Sequence, residues 1–392
     1  MEKKKKGNYL TLKESRAIIK HNIKQMKYYE ALKKKNVDPT VYKTVMKDEN
    51  NIVELDNLQT NFFTDNGTVK SVNGVSFDIP KNKIVGVVGE SGCGKSVTSL
   101  SIMQLVQSPQ GQVVGGEIRF NSDALGYNEN GEKIAYNIAK MPTEEMFNVR
   151  GKDITMIFQE PMTSLNPVFT IGYQLDEVMF IHYPEMPKEE VKKHSIDMLN
   201  QVGISMPERV YASYPHELSG GMRQRVMIAM ALAGDPKLII ADEPTTALDV
   251  TIQAQILELL KNLQKKTGCS IMLITHDLGV IAEMADEVVV MYAGKVIEKG
   301  TVQEIFKNPK HPYTIGLQAS KPLITSDINK PLYSIPGSVP NPINLPNTCF
   351  FKNRCNMCVN KCNGTYPNEV KLSDTHYVSC YLYDEEGNTD GK

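Results

Sequence analysis

The fold is decided by a short glycine-rich stretch, Gly89-Glu90-Ser91-Gly92-Cys93-Gly94-Lys95-Ser96, which fits the phosphate-binding pattern GxxxxGK[ST]. An apolar run at 84–88 precedes it, and a helical pattern begins at Val97. A strand that turns into a helix directs backbone N–H groups and a helix N-terminus at one point. We therefore predict that Gly89 to Val97 bind nucleotide, with Lys95 on the β- and γ-phosphates and Ser96 on Mg²⁺.

A second buried-strand pattern, 238–243, ends in the two carboxylates Asp242 and Glu243. Apolar strands that end in acids are common and are usually structural. After a phosphate loop, however, such a strand is expected to deliver one acid to Mg²⁺ and the next to the attacking water. We assign the first role to Asp242 and the second to Glu243.

The composition is that of a globular protein, with 41% hydrophobic and 23% charged residues in 392. No apolar run approaches the roughly 18 residues of a spanning helix, and the basic N-terminus lacks the apolar stretch of a secretory signal. We therefore expect a cytoplasmic protein. Basic residues concentrate in 1–47 and leave a mildly acidic remainder, which argues against a nucleic-acid partner.

The pattern of the chain predicts three units. Residues 1–48 form a basic N-terminal helical extension, in which Thr11 and Glu14 have capping-box spacing, and we expect it to be solvated. Residues 49–318 alternate short β-branched runs with helical stretches, which indicates an α/β fold with a mainly parallel sheet. Within them, 141–233 is mostly helical and predicts an inserted helical subdomain. Residues 319–392 are rich in Pro, Asn and Cys and predict an irregular module.

A further stretch, Leu218-Ser219-Gly220-Gly221-Met222-Arg223-Gln224-Arg225, resembles the signature motif of the ATP-binding-cassette (ABC) ATPases. Ser219, Gly220 and Gly221 open a helix whose hydroxyl and amides can meet a γ-phosphate closely. The resemblance implies a RecA-like core with an antiparallel β subdomain and an inserted helical subdomain. It also implies that ATP is bound head to tail between two cassettes, so this chain needs a second ATPase.

The same resemblance assigns roles to single residues. Gln159 matches the Q-loop, which meets Mg²⁺ and senses membrane subunits; His276 matches the switch histidine on the γ-phosphate; and Asp249 matches the D-loop between subunits. An aromatic side chain ahead of the phosphate loop should stack on adenine. We choose Phe62, with Phe63 as the alternative.

Several segments resemble the oligopeptide and dipeptide importer branch, notably 159–167, 214–217 and 311–314, and 222–232 is similar to the first of its two paralogous ATPases. This implies peptide import, with a second ATPase, two transmembrane permease subunits and an extracytoplasmic solute-binding protein as partners. The chain would lie peripherally on the cytoplasmic face of the membrane. Import of nickel or another small solute is the alternative, and a non-transport ABC ATPase is a more distant one.

Cysteines cluster near the C-terminus, where four of them fall as in this branch: Cys349, Cys355, Cys362 and Cys380. Such a cluster in a reducing compartment indicates metal ligation before disulfides. Four thiolates suit a [4Fe-4S] cluster or tetrahedral zinc, and the resemblance favours iron–sulfur. Cys358 is outside the set.

Overall fold

The computed structural model describes residues 11–33, 37–159, 164–246, 248–320 and 333–384. Its strands are β1 Lys43–Val45, β2 Asn51–Thr64, β3 Gly67–Pro80, β4 Ile84–Val88, β5 Gly111–Phe120, β6 Ile134–Asn137, β7 Ile154–Ile157, β8 Leu238–Asp242, β9 Ser270–Ile274, β10 Glu287–Tyr292, β11 Lys295–Thr301, β12 Val370–Lys371 and β13 Tyr377–Val378. Its helices are α1 Leu12–Lys33, α2 Lys95–Ile102, α3 Ile171–His182, α4 Lys188–Gln201, α5 Pro207–Ala212, α6 Gly220–Leu232, α7 Val250–Thr267, α8 Leu278–Met284, α9 Val302–Lys307 and α10 Pro312–Ala319.

The main sheet is built from the apolar runs that the sequence marks as strands. Its order is β12-β13-β11-β10-β4-β9-β8-β7, and the strands from β10 to β7 are parallel. Every residue of β4, β8 and β9 is buried, because both faces of the main sheet are covered, one mainly by helices and the other mainly by a second sheet. The carboxyl ends of β4 and β8 therefore bring the phosphate loop and Asp242 to the same edge.

A second, antiparallel sheet has the order β1-β6-β5-β2-β3. Its apolar face packs against one face of the main sheet, so that Val53, Val72 and Ile118 share a core with Val87 and Ile240. The predicted α/β fold, including the antiparallel subdomain, is therefore present.

The helical region is shorter than the predicted range of 141–233. Helices α3 to α6 occupy 171–232, whereas 154–157 form β7 and pair with β8 in the main sheet. The β-branched pair Ile154 and Thr155 favours a strand there. The helical region thus starts after β7, and Gln159 lies between this strand and the first helix of the region, α3.

The N-terminal helix α1 begins as predicted, since the Thr11 hydroxyl accepts from Glu14 N–H and Thr11 N–H donates to the Glu14 carboxylate. One side of the helix is not solvated. Asn22 is buried and donates to Thr64 O at 2.8 Å, and the Tyr29 ring lies 6.3 Å from that of Phe63. Most residues of the helix are exposed, as expected for a solvated extension, but these side chains dock it onto the antiparallel sheet.

The C-terminal segment is joined to the main sheet. β13 pairs with β11 and β12, and Phe350 and Phe351 enter the main hydrophobic core. Residues 333–384 contain only short elements, as the Pro and Asn content of the segment predicts, and they fold against the residues that precede them.

Candidate active site

The phosphate loop between β4 and α2 depends on glycines with positive φ. Gly89, Gly92 and Gly94 have φ of 153°, 77° and 102°, which glycine adopts without a Cβ penalty. A Cβ on Gly94 would lie 2.4 Å from Ser71 O, and one on Gly89 would lie 2.2 Å from Met291 O. The loop therefore packs directly on the backbones of β3 and β10.

Lys95 is folded into this loop and is only 6% exposed. Its ammonium donates to Gly89 O at 2.7 Å and to Glu90 O at 3.1 Å. Phosphate oxygens accept hydrogen bonds from an ammonium more strongly than neutral carbonyls do. The Lys95 ammonium thus lies where a bound phosphate can attract it.

The remaining loop residues divide by exposure. Ser91 and Gly92 are exposed at the tip, Val97 is half-buried, and Cys93 is buried below them. Burial raises the pKa of the Cys93 thiol. Cys93 is therefore a neutral packing residue that supports the loop.

Ser96 and Asp242 meet across the carboxyl edge of the sheet. The Ser96 hydroxyl donates to Asp242 Oδ1 at 3.1 Å. Burial raises the pKa of Asp242, the Ser96 hydrogen bond lowers it, and the neighbouring Glu243 charge raises it. Carboxylate and hydroxyl oxygens of this kind are ligands that Mg²⁺ takes.

Glu243 is the point at which the predicted catalytic residues converge. Gln159 Nε2 donates to Glu243 Oε2 at 2.9 Å, and His276 Nδ1 lies 3.2 Å from Glu243 Oε1. Thr246 adds a hydroxyl 3.1 Å from Oε2. Glu243 has a φ of 47°, which is far from extended backbone, so the chain leaves the direction of β8 at this residue. The segments that follow β7 and β9, together with the nearby Thr246, therefore fix one carboxylate beside Asp242.

The signature residues form the exposed N-terminus of α6. The Ser219 hydroxyl accepts from Met222 N–H at 3.3 Å, and a Cβ on Gly221 would lie 2.9 Å from Ile252 in α7. Asp249 caps α7 by accepting from Ile252 N–H at 3.0 Å. Ser219, Gly220 and Asp249 are all exposed, so the structure gathers them on the surface, apart from the Glu243 cluster.

Phe62 and Phe63 point to opposite faces of β2. Phe63 is buried and its ring is stacked 6.3 Å from the Tyr29 ring of α1, whereas Phe62 is half-buried. The ring of Phe63 is thus taken up by the N-terminal helix. Phe62 keeps an accessible ring, as stacking on a base requires.

The clustered cysteines are free thiols. Burial and the charges of neighbouring cysteines raise the pKa of Cys349 to about 11 and that of Cys380 to about 12. These thiols are near enough to Cys355 and Cys362 to influence one another. In the described part of the chain, however, no group of three or more His, Cys, Asp or Glu side chains is arranged to hold a metal ion. The geometry gives the predicted iron–sulfur or zinc site no support.

Two residues at the phosphate loop were missed by sequence reasoning. Arg354 forms a salt bridge with Glu90 at 2.6 Å, and the Tyr313 hydroxyl accepts from Glu90 N–H at 2.8 Å. Tyr313 lies in the segment 311–314, which resembles the oligopeptide and dipeptide importer branch, but that resemblance does not indicate a contact with the phosphate loop. Arg354 is 264 positions from Glu90, and nothing local in the sequence indicates their contact.

Comparison with known proteins follows the two parts of the chain. Residues 72–246 match the family described as ABC transporter, and residues 297–362 match the family described as oligopeptide/dipeptide transporter, C-terminal region. The oligopeptide transport ATP-binding protein AppD of Bacillus subtilis (strain 168) is 50% identical over 337 residues, which cover 86% of this chain and 98% of AppD. The dipeptide transport ATP-binding protein DppD of Lactococcus lactis subsp. cremoris (strain MG1363) is 44% identical over 336 residues, covering 86% of this chain and 92% of DppD.

Solved structures agree with the fold. The ATP-binding cassette MJ0796, in a dimeric post-hydrolysis state bound to ADP and Pi, matches with a TM-score of 0.53 and 27% identity over 64% of this chain and 98% of its own. The cbiO1 protein of Clostridium perfringens, part of the ABC transporter complex cbiONQ, matches with a TM-score of 0.52 and 26% identity over 69% of this chain and 96% of its own. The predicted ABC ATPase fold is confirmed.

Proposed function

From the premise that this chain belongs to the oligopeptide and dipeptide transport ATP-binding proteins of the ABC transporter family, we propose how its residues carry out the family's function. The chain binds and hydrolyses ATP to energise peptide import. The observation that carries the proposal is the convergence of Gln159 and His276 on the Glu243 carboxylate. Import of nickel or another small solute is not favoured, because AppD and DppD are named as oligopeptide and dipeptide transport proteins.

Glu243 acts as the general base in this proposal. Its carboxylate takes the proton of the attacking water, and Gln159 and His276 hold the two carboxylate oxygens in a fixed direction. A general base contributes about 10²- to 10⁴-fold to a rate. Gln159, Thr246 and His276 contact the carboxylate, which has about four acceptor sites, so a site remains for the attacking water.

Mg²⁺ fits the edge formed by Ser96, Asp242 and Gln159. The Ser96 hydroxyl and the Asp242 carboxylate already lie 3.1 Å apart, and both offer the oxygen ligands that Mg²⁺ takes. When bound, the ion neutralises phosphate charge. Asp242, whose pKa is raised by burial, must be ionised to hold it.

A composite site between two cassettes explains the exposed signature. Ser219 and Gly220 lie on the surface, and so do Ser91 and Gly92 at the tip of the phosphate loop. A relative of known structure is described as dimeric and bound to ADP and Pi. We propose that a second ATPase places its signature over this phosphate loop, while Ser219 here serves the opposite site and Asp249 lies between the subunits.

Permease subunits supply the membrane part of the transporter, and a solute-binding protein supplies the peptide. In the described residues, no helix is long and apolar enough to cross a membrane. Exposed apolar side chains follow Gln159, among them Val168 and Tyr173, whose ring stacks on Phe169 at 4.6 Å. We propose that this surface, near a residue that contacts Glu243, receives the permease on the cytoplasmic face of the membrane.

The metal site remains a prediction. The clustering of Cys349, Cys355, Cys362 and Cys380 in the sequence motivates it, whereas their side chains in the described residues do not form a ligand set. No step of ATP binding or hydrolysis is assigned to a metal held there.

Peptide uptake tests the proposed function. The chain is reconstituted with its permeases, binding protein and partner ATPase in vesicles, and uptake of a labelled peptide is measured with ATP inside. We expect Lys95→Ala to abolish uptake and unlabelled peptide, but not Ni²⁺, to compete with the label. ATP-independent uptake, or uptake of Ni²⁺ in place of peptide, would contradict the proposal.

A further inference from the structure

The phosphate loop carries one acidic side chain, Glu90, and the C-terminal segment holds it. Arg354 donates through Nη1 to Glu90 Oε2 at 2.6 Å and through Nη2 to Glu90 Oε1 at 2.9 Å. Arg354 is 8% exposed. This parallel, two-bond geometry fixes a carboxylate in direction as well as in distance.

Arg354 is itself fixed from several sides. Its Nε donates to Pro336 O at 2.9 Å, and its Nη1 donates to the Tyr292 hydroxyl at 3.3 Å. The guanidinium also lies 5.8 Å from the Tyr292 ring centroid and 5.9 Å from that of Phe351. A cation held in this way against aromatic rings keeps one position.

Tyr313 holds the same loop residue by its backbone. Its hydroxyl accepts from Glu90 N–H at 2.8 Å, and its ring packs 4.8 Å from Tyr292 and 5.5 Å from Phe351. The side chain is fully buried. Glu90 is therefore held at its amide by α10 and at its carboxylate by the C-terminal segment.

The charge of Glu90 makes this contact matter for nucleotide. An ATP bound at Lys95 brings several negative charges to the loop, and a free carboxylate on that loop would repel them. Arg354 neutralises the carboxylate and keeps it turned toward the C-terminal segment. Without Arg354, Glu90 would be an unpaired acid beside the triphosphate.

We propose that Arg354 and Tyr313 are positioning residues for ATP, through which the C-terminal segment holds Glu90 and sets the affinity of the phosphate loop. The inference rests on the proposed binding of phosphates by this loop. Because coupling between two sites is reciprocal, bound ATP also stabilises the segment around Pro336 and Arg354.

Binding of a fluorescent ATP analogue to the purified full-length chain tests the proposal. Arg354→Met, which removes the charge, should weaken binding about 10-fold, as repulsion by an unpaired carboxylate near bound charge implies. Arg354→Lys, which keeps the charge but loses the second hydrogen bond, should weaken it less. In the complete transporter, Arg354→Met should raise KM for ATP with little change in kcat, because Arg354 does not touch Glu243.

Two comparisons separate positioning from a loss of structure. Adding Glu90→Gln to Arg354→Met should restore most of the affinity, since the repelling charge is gone, whereas a collapsed segment would not be rescued. The Arg354→Met deficit should also shrink at about 1 M salt, where the Debye length is about 3 Å. Arg119→Met is the matched control: Arg119 is similarly buried and paired with Asp56 and Glu117, but it lies in the antiparallel sheet.

The outcomes distinguish the inference from the function it rests on. Affinity of Arg354→Met within 2-fold of the unchanged chain, or a deficit that Glu90→Gln does not relieve, would overturn the inference while Lys95→Ala still abolished binding. Bound ATP should protect the amides of residues 335–354 from hydrogen exchange. If Arg354→Met abolishes this protection and Arg119→Met does not, the result supports the inference. If Lys95→Ala also bound the analogue normally, the proposed phosphate site would fail instead.

Discussion

Gln159 Nε2 lies 2.9 Å from Glu243 Oε2, although 84 positions separate the two residues in the chain. Gln159 stands two positions after the end of β7, and Glu243 directly follows β8, which pairs with β7. The contact thus joins the entry to the helical region with the carboxylate at the sheet edge. We propose that movement of the helical region changes the direction of Glu243 through this contact, so that a docked partner can influence hydrolysis.

Gly94 and Gly92 give a matched pair for the phosphate loop. Both have positive φ, but a Cβ on Gly94 would meet Ser71 O at 2.4 Å, while one on Gly92 meets nothing within 4 Å. We expect Gly94→Ala to weaken ATP binding at least 10-fold, and Gly92→Ala to weaken it far less, since a backbone clash costs more than a strained φ alone. Calorimetric titration with ATP and Mg²⁺ measures both, and equal losses would show that the clash is not decisive.

His311 should make stability depend on pH. It is 3% exposed, accepts from Tyr313 N–H, and burial lowers its pKa from 6.5 to about 3. Between pH 6.5 and 3 the unfolded chain binds a proton that the folded chain does not, so stability falls as pH decreases through this window. At pH 5 the loss is about 2 kcal/mol relative to pH 7.5.

Denaturant unfolding at the two pH values measures this loss. His311→Asn keeps a short acceptor at the start of α10 without a titrating ring. The loss of stability between pH 7.5 and pH 5 should be smaller in this variant by about the stated amount. An identical loss in both proteins would show that His311 does not bind the proton on unfolding.

The second ATPase is tested by nucleotide cross-linking in mixed complexes. Gly221→Asp here places a bulky charge at the signature, where a Cβ would already lie 2.9 Å from Ile252. It should reduce photo-crosslinked ATP on the phosphate loop of the partner ATPase, while Lys95→Ala here should reduce it on this chain. Gly126→Asp, at a position with nothing within 4 Å, is the control. Unchanged labelling of the partner with Gly221→Asp contradicts a head-to-tail site.

The cysteine prediction is decided by metal and sulfide analysis of protein purified without oxygen. We expect iron with labile sulfide, or a single zinc as the alternative, lost when any of Cys349, Cys355, Cys362 or Cys380 is changed to Ser. Cys358→Ser should retain the metal. The prediction is contradicted if the protein contains neither metal and its C-terminal segment still resists protease.

The two strands that lead into the phosphate loop and to Asp242 could be predicted from the sequence because they are short, strongly apolar runs. The runs at 84–88 and 238–242 are fully buried, and their carboxyl ends must meet in a parallel sheet. The cluster around Glu243 followed from the family resemblance, which named Gln159 and His276. The structure adds Thr246, whose hydroxyl contact with Glu243 has no sequence signal of its own.

Long-range contacts were the part that the sequence did not reveal. Helix α1 is mostly polar, and its docking depends on single side chains such as Asn22 and Tyr29, which no local pattern marks as contacts. The link from Arg354 to Glu90 joins segments 264 positions apart. The C-terminal segment lies far in sequence from the phosphate-binding motifs, and this contact brings the two together.

The central claim is that Glu243 is the base for ATP hydrolysis. Its most direct test compares ATP binding and ATP turnover of Glu243→Gln in the reconstituted transporter. We expect unchanged ATP affinity and a turnover lowered by about 10²- to 10⁴-fold, because the amide keeps the hydrogen-bonding shape but cannot take the proton. Turnover within a few-fold of the unchanged protein would contradict it.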